Sequence, residues 1–407
     1  MRNPEQVEVA DVLRRYGSAY QAAYGTTLST AQRRAVKDLL RCRTAALGGH
    51  VEECDQCGHR RIAYNSCRNR HCPKCQAATR AQWLDDRASE LLPIEYFHVV
   101  FTLPDELGPL TLQNPRVVYG TLLRATAETL LQIAADPKHL GAEIGFLAVL
   151  HTWGQKLHLH PHVHCVVPGG GLAPTGNRWV GCRPGFFLPV KVLSRVFRGK
   201  FVSHLEEAFR RGQLSFHGQQ KYLAAVDAFG RLTGGLRERD WVVYAQPPAG
   251  SPEQVLKYLA RYVHRVAISN QRLLKIEDDQ VFFTWKDYAR ENQVKTMALP
   301  AVEFIRRFLL HVLPSGFVRI RHYGWLANRH REEKLQQCRQ LLQVEVLRGP
   351  TDEAAKSPEE PVASAAPWER CPVCPHGRMI RVEKFAGDAV THHGREGAVE
   401  AAACDSS

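Results

Sequence analysis

The stretch LHTWGQKLHLHPHVHCVVPGGG, from Leu150 to Gly171, decides how this chain is read. It holds five of the chain's nineteen histidines, His151, His158, His160, His162 and His164, within fourteen residues. Successive side chains of a strand alternate between faces, so His160, His162 and His164 project to one side while Val163 turns to the core. The run Cys165-Val166-Val167 meets Pro168-Gly169-Gly170-Gly171, a turn signal that stops a buried strand. Upstream, residues 144–153 (IGFLAVLHTW) read as a second strand, and the pair forms a candidate hairpin joined through residues 154–159. His162 and His164 then face a common divalent ion. His151, eleven residues before His162, falls on the partner strand as a candidate third ligand, the alternative being a satisfied core histidine. His160 lies one strand step further and suits a phosphate contact, and His158 belongs to the connection. Nitrogen ligands suit Mn²⁺ or Zn²⁺, and a site completed by water and phosphate oxygens takes Mg²⁺.

Working outward, strands and helices alternate without an internal repeat. Helical spacing covers 30–47, with Thr30 as cap, and 76–92, closed by Pro93. Residues 96–104 (YFHVVFTLP) form a strand stopped by proline. A helix is expected over 114–135, with Asn114 as cap and Pro115 at its first position. The stretch 190–235 reads as helical and 240–245 as a strand. Short strands at 272–277 and 280–285 flank Asp278-Asp279 as a hairpin, and 301–313 is helical. Residues 350–367, rich in Pro, Ala and Glu, read as a disordered linker. The pattern predicts an α+β fold with an antiparallel sheet flanked by helices.

The bulk numbers narrow the class. With 407 residues, 44% of them apolar and 23% charged, the chain is long enough for two or three globular domains. No apolar run approaches the roughly 18 to 20 residues of a membrane-spanning helix, and the N-terminus lacks an apolar signal core, so an intracellular protein is expected. A net charge of +13 points to nucleic acid as partner, because Lys and Arg neutralise phosphates; the bland alternative is a merely basic surface.

Twelve cysteines without a secretion signal argue for metal sites rather than disulfides. Cys54-x2-Cys57 and Cys72-x2-Cys75 stand fourteen residues apart, a spacing that suits one closed, structural four-thiolate zinc site. Cys67, His59 and His71 are spare ligands, and a redox pair of CxxC motifs is the competing reading. Arg68 and Arg70, between the pairs, suit a grip on the DNA backbone. Cys371-x2-Cys374 is a further knuckle whose partners are open, with His376, His392, His393 and Cys404 as possibilities.

Ser251-Pro252-Glu253 starts a helix that runs through VLKYLARYVHRVA. Tyr258 and Tyr262, four apart, share one face. The same spacing describes an ordinary core stripe of Val255, Tyr258, Leu259, Tyr262 and Val266. The opposite face carries Lys257, Arg261, His264 and Arg265, suited to phosphate. A tyrosine hydroxyl attacks a phosphodiester to give a covalent phosphotyrosine, which stays reactive toward a later 3′-hydroxyl. Two tyrosines on one face would hold two DNA ends in one cycle.

HPHVHCVVPGGG, YLARYVHRVAIS and NSCRNRHCPKCQ together resemble the HUH, two-tyrosine transposases of rolling-circle insertion sequences. HVVFTLP at 98–104 is similar to that family's first motif, and EFIRRFLLHVLPSGFVRIRHYG at 303–324 to its C-terminal motif. The motifs come in the family's order over about residues 10–330. The resemblance implies His162 and His164 as ligands of a catalytic Mg²⁺ or Mn²⁺, Tyr258 and Tyr262 as nucleophiles, and an N-terminal zinc-binding DNA-recognition domain. It implies single-stranded DNA at insertion-sequence ends as substrate and a bacterial cytoplasmic, nucleoid-associated location. The expected division is 1–92 for the helical and zinc-binding domain, 93–300 for the catalytic domain, 301–349 for a helical extension and 350–407 for the linker and second knuckle. Replication initiators and relaxases share the chemistry. A non-catalytic zinc-dependent DNA-binding protein would keep both tyrosines in its core. A water-using metallohydrolase needs a carboxylate that residues 145–171 lack.

Overall fold

A computed structural model describes residues 6–76, 90–246, 266–288, 290–343, 370–374 and 376–387. Residues 251–265 of the expected helix that runs to Ala267, the linker at 350–367 and most of the expected helix at 76–92 lie outside the described residues, and Val266 and Ala267 are not helical. The fold is α+β, with antiparallel sheets and flanking helices. The chain divides into two compact units, one of residues 1–81, 268–312 and 347–407, the other of residues 82–267 and 313–346. These units do not follow the expected boundaries at 92, 300 and 349. The sequence after 268 returns to the N-terminal unit, because its strands and helix pack there. Among the described residues, no helix is long and apolar enough to cross a membrane.

The second unit is built on a five-stranded antiparallel sheet. Its order is Ile320–Gly324, Gly145–Trp153, Leu159–Pro168, Tyr96–Thr102 and Val243–Gln246. The expected hairpin forms: Gly145–Trp153 pairs with Leu159–Pro168, and the turn closes where the Gly154 N–H donates to the His158 carbonyl at 3.0 Å. Alternation then sorts the side chains. Phe97, Val99, Phe101, Phe146, Ala148, Leu150, Val163, Cys165 and Val167 are all buried on one face. They meet the apolar sides of the helices Pro115–Ala135 and Val190–Arg210, including Leu122, Leu130, Phe197 and Phe201. Each such Phe or Leu contributes about 1.5–3 kcal/mol by leaving water. Among the described residues these helices cover one face of the sheet, and the other carries the histidines together with buried Tyr96, Leu147, Val149 and Val166. Pro115 opens its helix as expected, but the Asn114 amide donates to the Leu110 and Ser215 carbonyls instead of capping.

The first unit holds two three-stranded sheets. In one, Gly49–Cys54 is the central strand between Arg60–Tyr64 and Met379–Phe385. In the other, Leu273–Glu277, Gln280–Asp287 and Gln293–Pro300 form a meander. Asp278 and Asp279 turn its first hairpin with φ of 47° and 57°, the left-handed geometry a two-residue loop needs. The third strand, Gln293–Pro300, lies beyond the two-stranded hairpin expected from the sequence. The helix expected over 30–47 runs only from Thr30 to Arg41, and its cap is Ser29, whose side chain and that of Gln32 form a reciprocal capping box. The helix Val9–Tyr24 packs against Ala301–Leu310.

Candidate functional site

The register of the sheet brings three imidazoles together. His151 stands directly opposite His162, and His164 stands opposite Val149 on one side and Val100 on the other. Directly paired residues share a face. These histidines therefore lie on the face away from the helices, while Val163 and Cys165 point into the core. One ring nitrogen of each of His151, His162 and His164 lies within 4.8 Å of the others. His151 and His164 are buried and His162 is half-buried. The ring of Trp153, which follows a bulge, stacks on His151 with centroids 4.6 Å apart.

Hydrogen bonds constrain which nitrogens are available. The Nδ1 of His162 lies 2.6 Å from the His160 carbonyl oxygen. A carbonyl only accepts, so Nδ1 carries the proton and Nε2 keeps its lone pair. The Nδ1 of His164 lies 2.7 Å from Nε2 of His98, in rings parallel to within 6°. Burial pushes the His98 pKa down to about 4, so this ring is neutral near pH 7. Of two neutral imidazoles one donates and one accepts. If His164 donates, its Nε2 is a lone pair beside that of His162, the usual arrangement of a ligating histidine and its outer partner. The three nitrogens therefore fit a divalent ion, and His98 is a site residue that the sequence reading missed. The only signal for it was its position in HVVFTLP, on the face shared with His162 and His164 once the strands are in register.

The other histidines stand outside this group. His160 Nδ1 lies 3.8 Å from a carboxylate oxygen of Asp105, and the His158 ring lies against the backbone of Gly154. Tyr258, Tyr262, Lys257, Arg261 and Arg265 lie outside the described residues.

The cysteines correct the expected zinc site. Cys54, Cys57, Cys72 and Cys75 do not form one set; they divide between two. Cys72 and Cys75 join Cys42 and Cys67, with sulfur separations of 3.5 Å for Cys42–Cys75 and Cys42–Cys72 and 3.6 Å for Cys67–Cys75. A tetrahedron with zinc–sulfur arms of about 2.3 Å has edges of roughly 3.8 Å, so this spacing fits one ion with a closed shell. Cys54 and Cys57 instead join Cys371 and Cys374. The reason is the strand ladder. Cys54 ends the strand Gly49–Cys54 opposite Met379, while Cys42 follows the helix Thr30–Arg41 toward Cys75. Burial alone would raise the Cys371 thiol; the backbone N–H groups of Cys374 and Val373 and the facing thiols outweigh it, and its pKa falls to about 7. Arg68, just after Cys67, is exposed with a left-handed φ of 52°, and Arg70 is half-buried.

Known proteins carry the same parts. A family described as "Putative transposase" matches residues 145–334, which include the three histidines. A family described as "Transposase zinc-binding domain" matches residues 12–103, which include all of Cys42, Cys67, Cys72 and Cys75. The "Putative transposase y4qJ" of Sinorhizobium fredii is 58% identical over 385 residues, covering 93% of this chain and 96% of the relative. The "Transposase for insertion sequence element IS801" of Pseudomonas savastanoi pv. phaseolicola is 27% identical over 370 residues, covering 86% and 83%. No solved structure matches the chain. With the histidine face, the sulfur clusters and these relatives in agreement, the chain belongs to the HUH, two-tyrosine transposase family of insertion sequences, enzymes acting on DNA, and carries that family's N-terminal zinc-binding domain.

Proposed function

We propose that this transposase nicks and rejoins single-stranded DNA at insertion-sequence ends, in rolling-circle transposition, through a 5′-phosphotyrosine intermediate on Tyr258 or Tyr262. The observation that carries the reading is the convergence of His151, His162 and His164 on the sheet face opposite the helices, with the His162 Nε2 lone pair set by its backbone hydrogen bond. Those three residues would hold the catalytic Mg²⁺ or Mn²⁺. Such an ion supplies Lewis acidity toward a non-bridging phosphate oxygen and orients the scissile phosphate. The rest is done by the chain. A tyrosine oxygen bonds to phosphorus, the bond to the 3′-oxygen breaks, and the phenol proton passes through solvent to the freed 3′-oxygen, which becomes a hydroxyl. Rejoining reverses the exchange: a 3′-hydroxyl displaces the tyrosine, which takes back a proton. Phenol leaves more readily than an alkyl alcohol because its pKa is near 10, so no nucleotide hydrolysis is required. Lys257, Arg261 and Arg265 would contact the strand's phosphates, and Arg68 and Arg70 the duplex backbone beside the first cysteine set.

The test is covalent capture. Full-length protein is mixed with end-labelled single-stranded DNA from an insertion-sequence end and Mn²⁺ or Mg²⁺, and adducts that survive denaturation are mapped by mass spectrometry. The expected result is modification of Tyr258 or Tyr262, and no adduct when both are changed to Phe, with DNA binding retained. Adducts that persist in the double variant would remove these nucleophiles. Tight binding with no adduct under any metal would leave a DNA-binding protein without strand transfer.

A further inference from the structure

The second sulfur set lies partly outside the matched zinc-binding domain, which ends at residue 103. We propose that Cys54, Cys57, Cys371 and Cys374 form a second structural Zn²⁺ site, which fastens the C-terminal strand Met379–Phe385 onto the N-terminal sheet. The proposal is independent of the strand-transfer reading.

Four observations carry it. One ligand atom from each cysteine lies within 4.8 Å of the others, with Cys54 and Cys374 sulfurs 3.4 Å apart and those of Cys57 and Cys371 3.7 Å apart. These separations are near the roughly 3.8 Å edge of a zinc–thiolate tetrahedron. Both pairs are also folded as knuckles. The N–H groups of Gln56 and Cys57 point to the Cys54 sulfur at 3.4 and 3.5 Å, and those of Val373 and Cys374 to the Cys371 sulfur at 3.3 Å. Donated N–H bonds favour the thiolate, the form that binds metal.

Gly377 is shaped to this set: a Cβ there would lie 2.2 Å from the Cys54 sulfur and 3.0 Å from that of Cys374. The C-terminal strand, finally, is held among the described residues by its backbone ladder, the Arg378–Asp55 bonds and the Phe385 ring against Tyr64, over a small apolar core. Its side chains are exposed except for buried Met379 and half-buried Phe385, and the buried cluster beneath it is Cys54, Cys371 and Met379. A ladder of backbone bonds over so small a core is marginal alone, and a closed metal shell spanning 320 residues of sequence supplies the missing constraint. Four thiolates with no open position select a soft or borderline ion and perform no chemistry on substrate. Binding releases thiol protons to solvent.

The test uses the full chain expressed with cobalt in place of zinc, because the sulfur-to-cobalt charge-transfer band reports thiolate-bound metal and is blind to ions on the histidines. The expected result is two thiolate-bound ions per chain. Cys371→Ser with Cys374→Ser should lower this to one. Should that variant fold poorly, Gly377→Ala keeps every thiol and should weaken the second ion's retention at least tenfold while the first stays. Cys182→Ser, which belongs to neither set, should keep two. Amide hydrogen exchange over 379–385 should accelerate in the two site variants and not in Cys182→Ser. One ion per chain in the parent, or two in the Cys371/Cys374 variant, overturns the site. Unchanged exchange over 379–385 overturns the fastening.

Discussion

The three imidazoles of the second unit come from residues 151 to 164, on neighbouring strands joined by a short turn, whereas each sulfur set gathers segments that the chain keeps apart. In the histidine site, period-two alternation and a hairpin suffice to put the side chains on one face. In the first unit, cysteines of similar spacing are sorted by which strand and helix they terminate. Two CxxC knuckles fourteen residues apart look like one site, yet each takes its partners elsewhere. A knuckle is a local shape with two ligands and no information about the other two.

The largest expected effect breaks this comparison on the cysteine side. Cys42→Ser should cost the first set its metal and a large share of the roughly 10–16 kcal/mol that structural zinc contributes. Metal analysis and thermal melting of the full chain read it out. A zinc site made of Cys54, Cys57, Cys72 and Cys75 would leave this variant untouched, so unaltered zinc content and melting would restore that set.

On the histidine side, His164→Ala should slow nicking by more than about 100-fold, beyond what loss of an outer partner costs, with little change in melting. His98→Ala should cost about 10–100-fold in activity or metal affinity, and His98→Gln, which keeps an acceptor, should recover part of it. Nicking rates titrated with Mn²⁺ separate the cases: a positioning role raises the metal concentration needed, and a purely structural role lowers melting without moving it. An identical metal requirement in His98→Ala would remove His98 from the site.

The smallest effect sharpens the contrast. At Gly154 a Cβ would lie 2.0 Å from the His158 ring, but that ring is the far end of a side chain able to swing away. Gly154→Ala should therefore cost about 1 kcal/mol or less and leave nicking nearly unchanged. Melting and the capture assay decide it; a collapse in activity would mean that the turn positions the ligands more tightly than the ladder does.

The sheet was readable because its cues are local. Val163 and Cys165 turn inward while His162 and His164 turn outward, whatever the rest of the chain does. Pro104 and the glycines after Pro168 mark strand ends, and Asp278-Asp279 marks a turn, through backbone preferences carried by single residues. His98 was not readable. It is a single histidine in an apolar strand, and its role exists only where Tyr96–Thr102 and Leu159–Pro168 lie in register. The return of residues 268–312 to the N-terminal unit had no local cue either, since amphipathic elements carry no label for the core they join.

By itself, then, the sequence determined the α+β class, the histidine hairpin with its outward face, the metal-binding character of the cysteines and the membership in a transposase family. Only the tertiary structure decided which sulfurs meet, that Cys371 and Cys374 belong with Cys54 and Cys57, and that His98 backs His164. The physical reason is range. Alternation, turns and knuckles depend on neighbours a few residues away, while a meeting of sulfurs across 320 residues depends on the free energy of the whole fold.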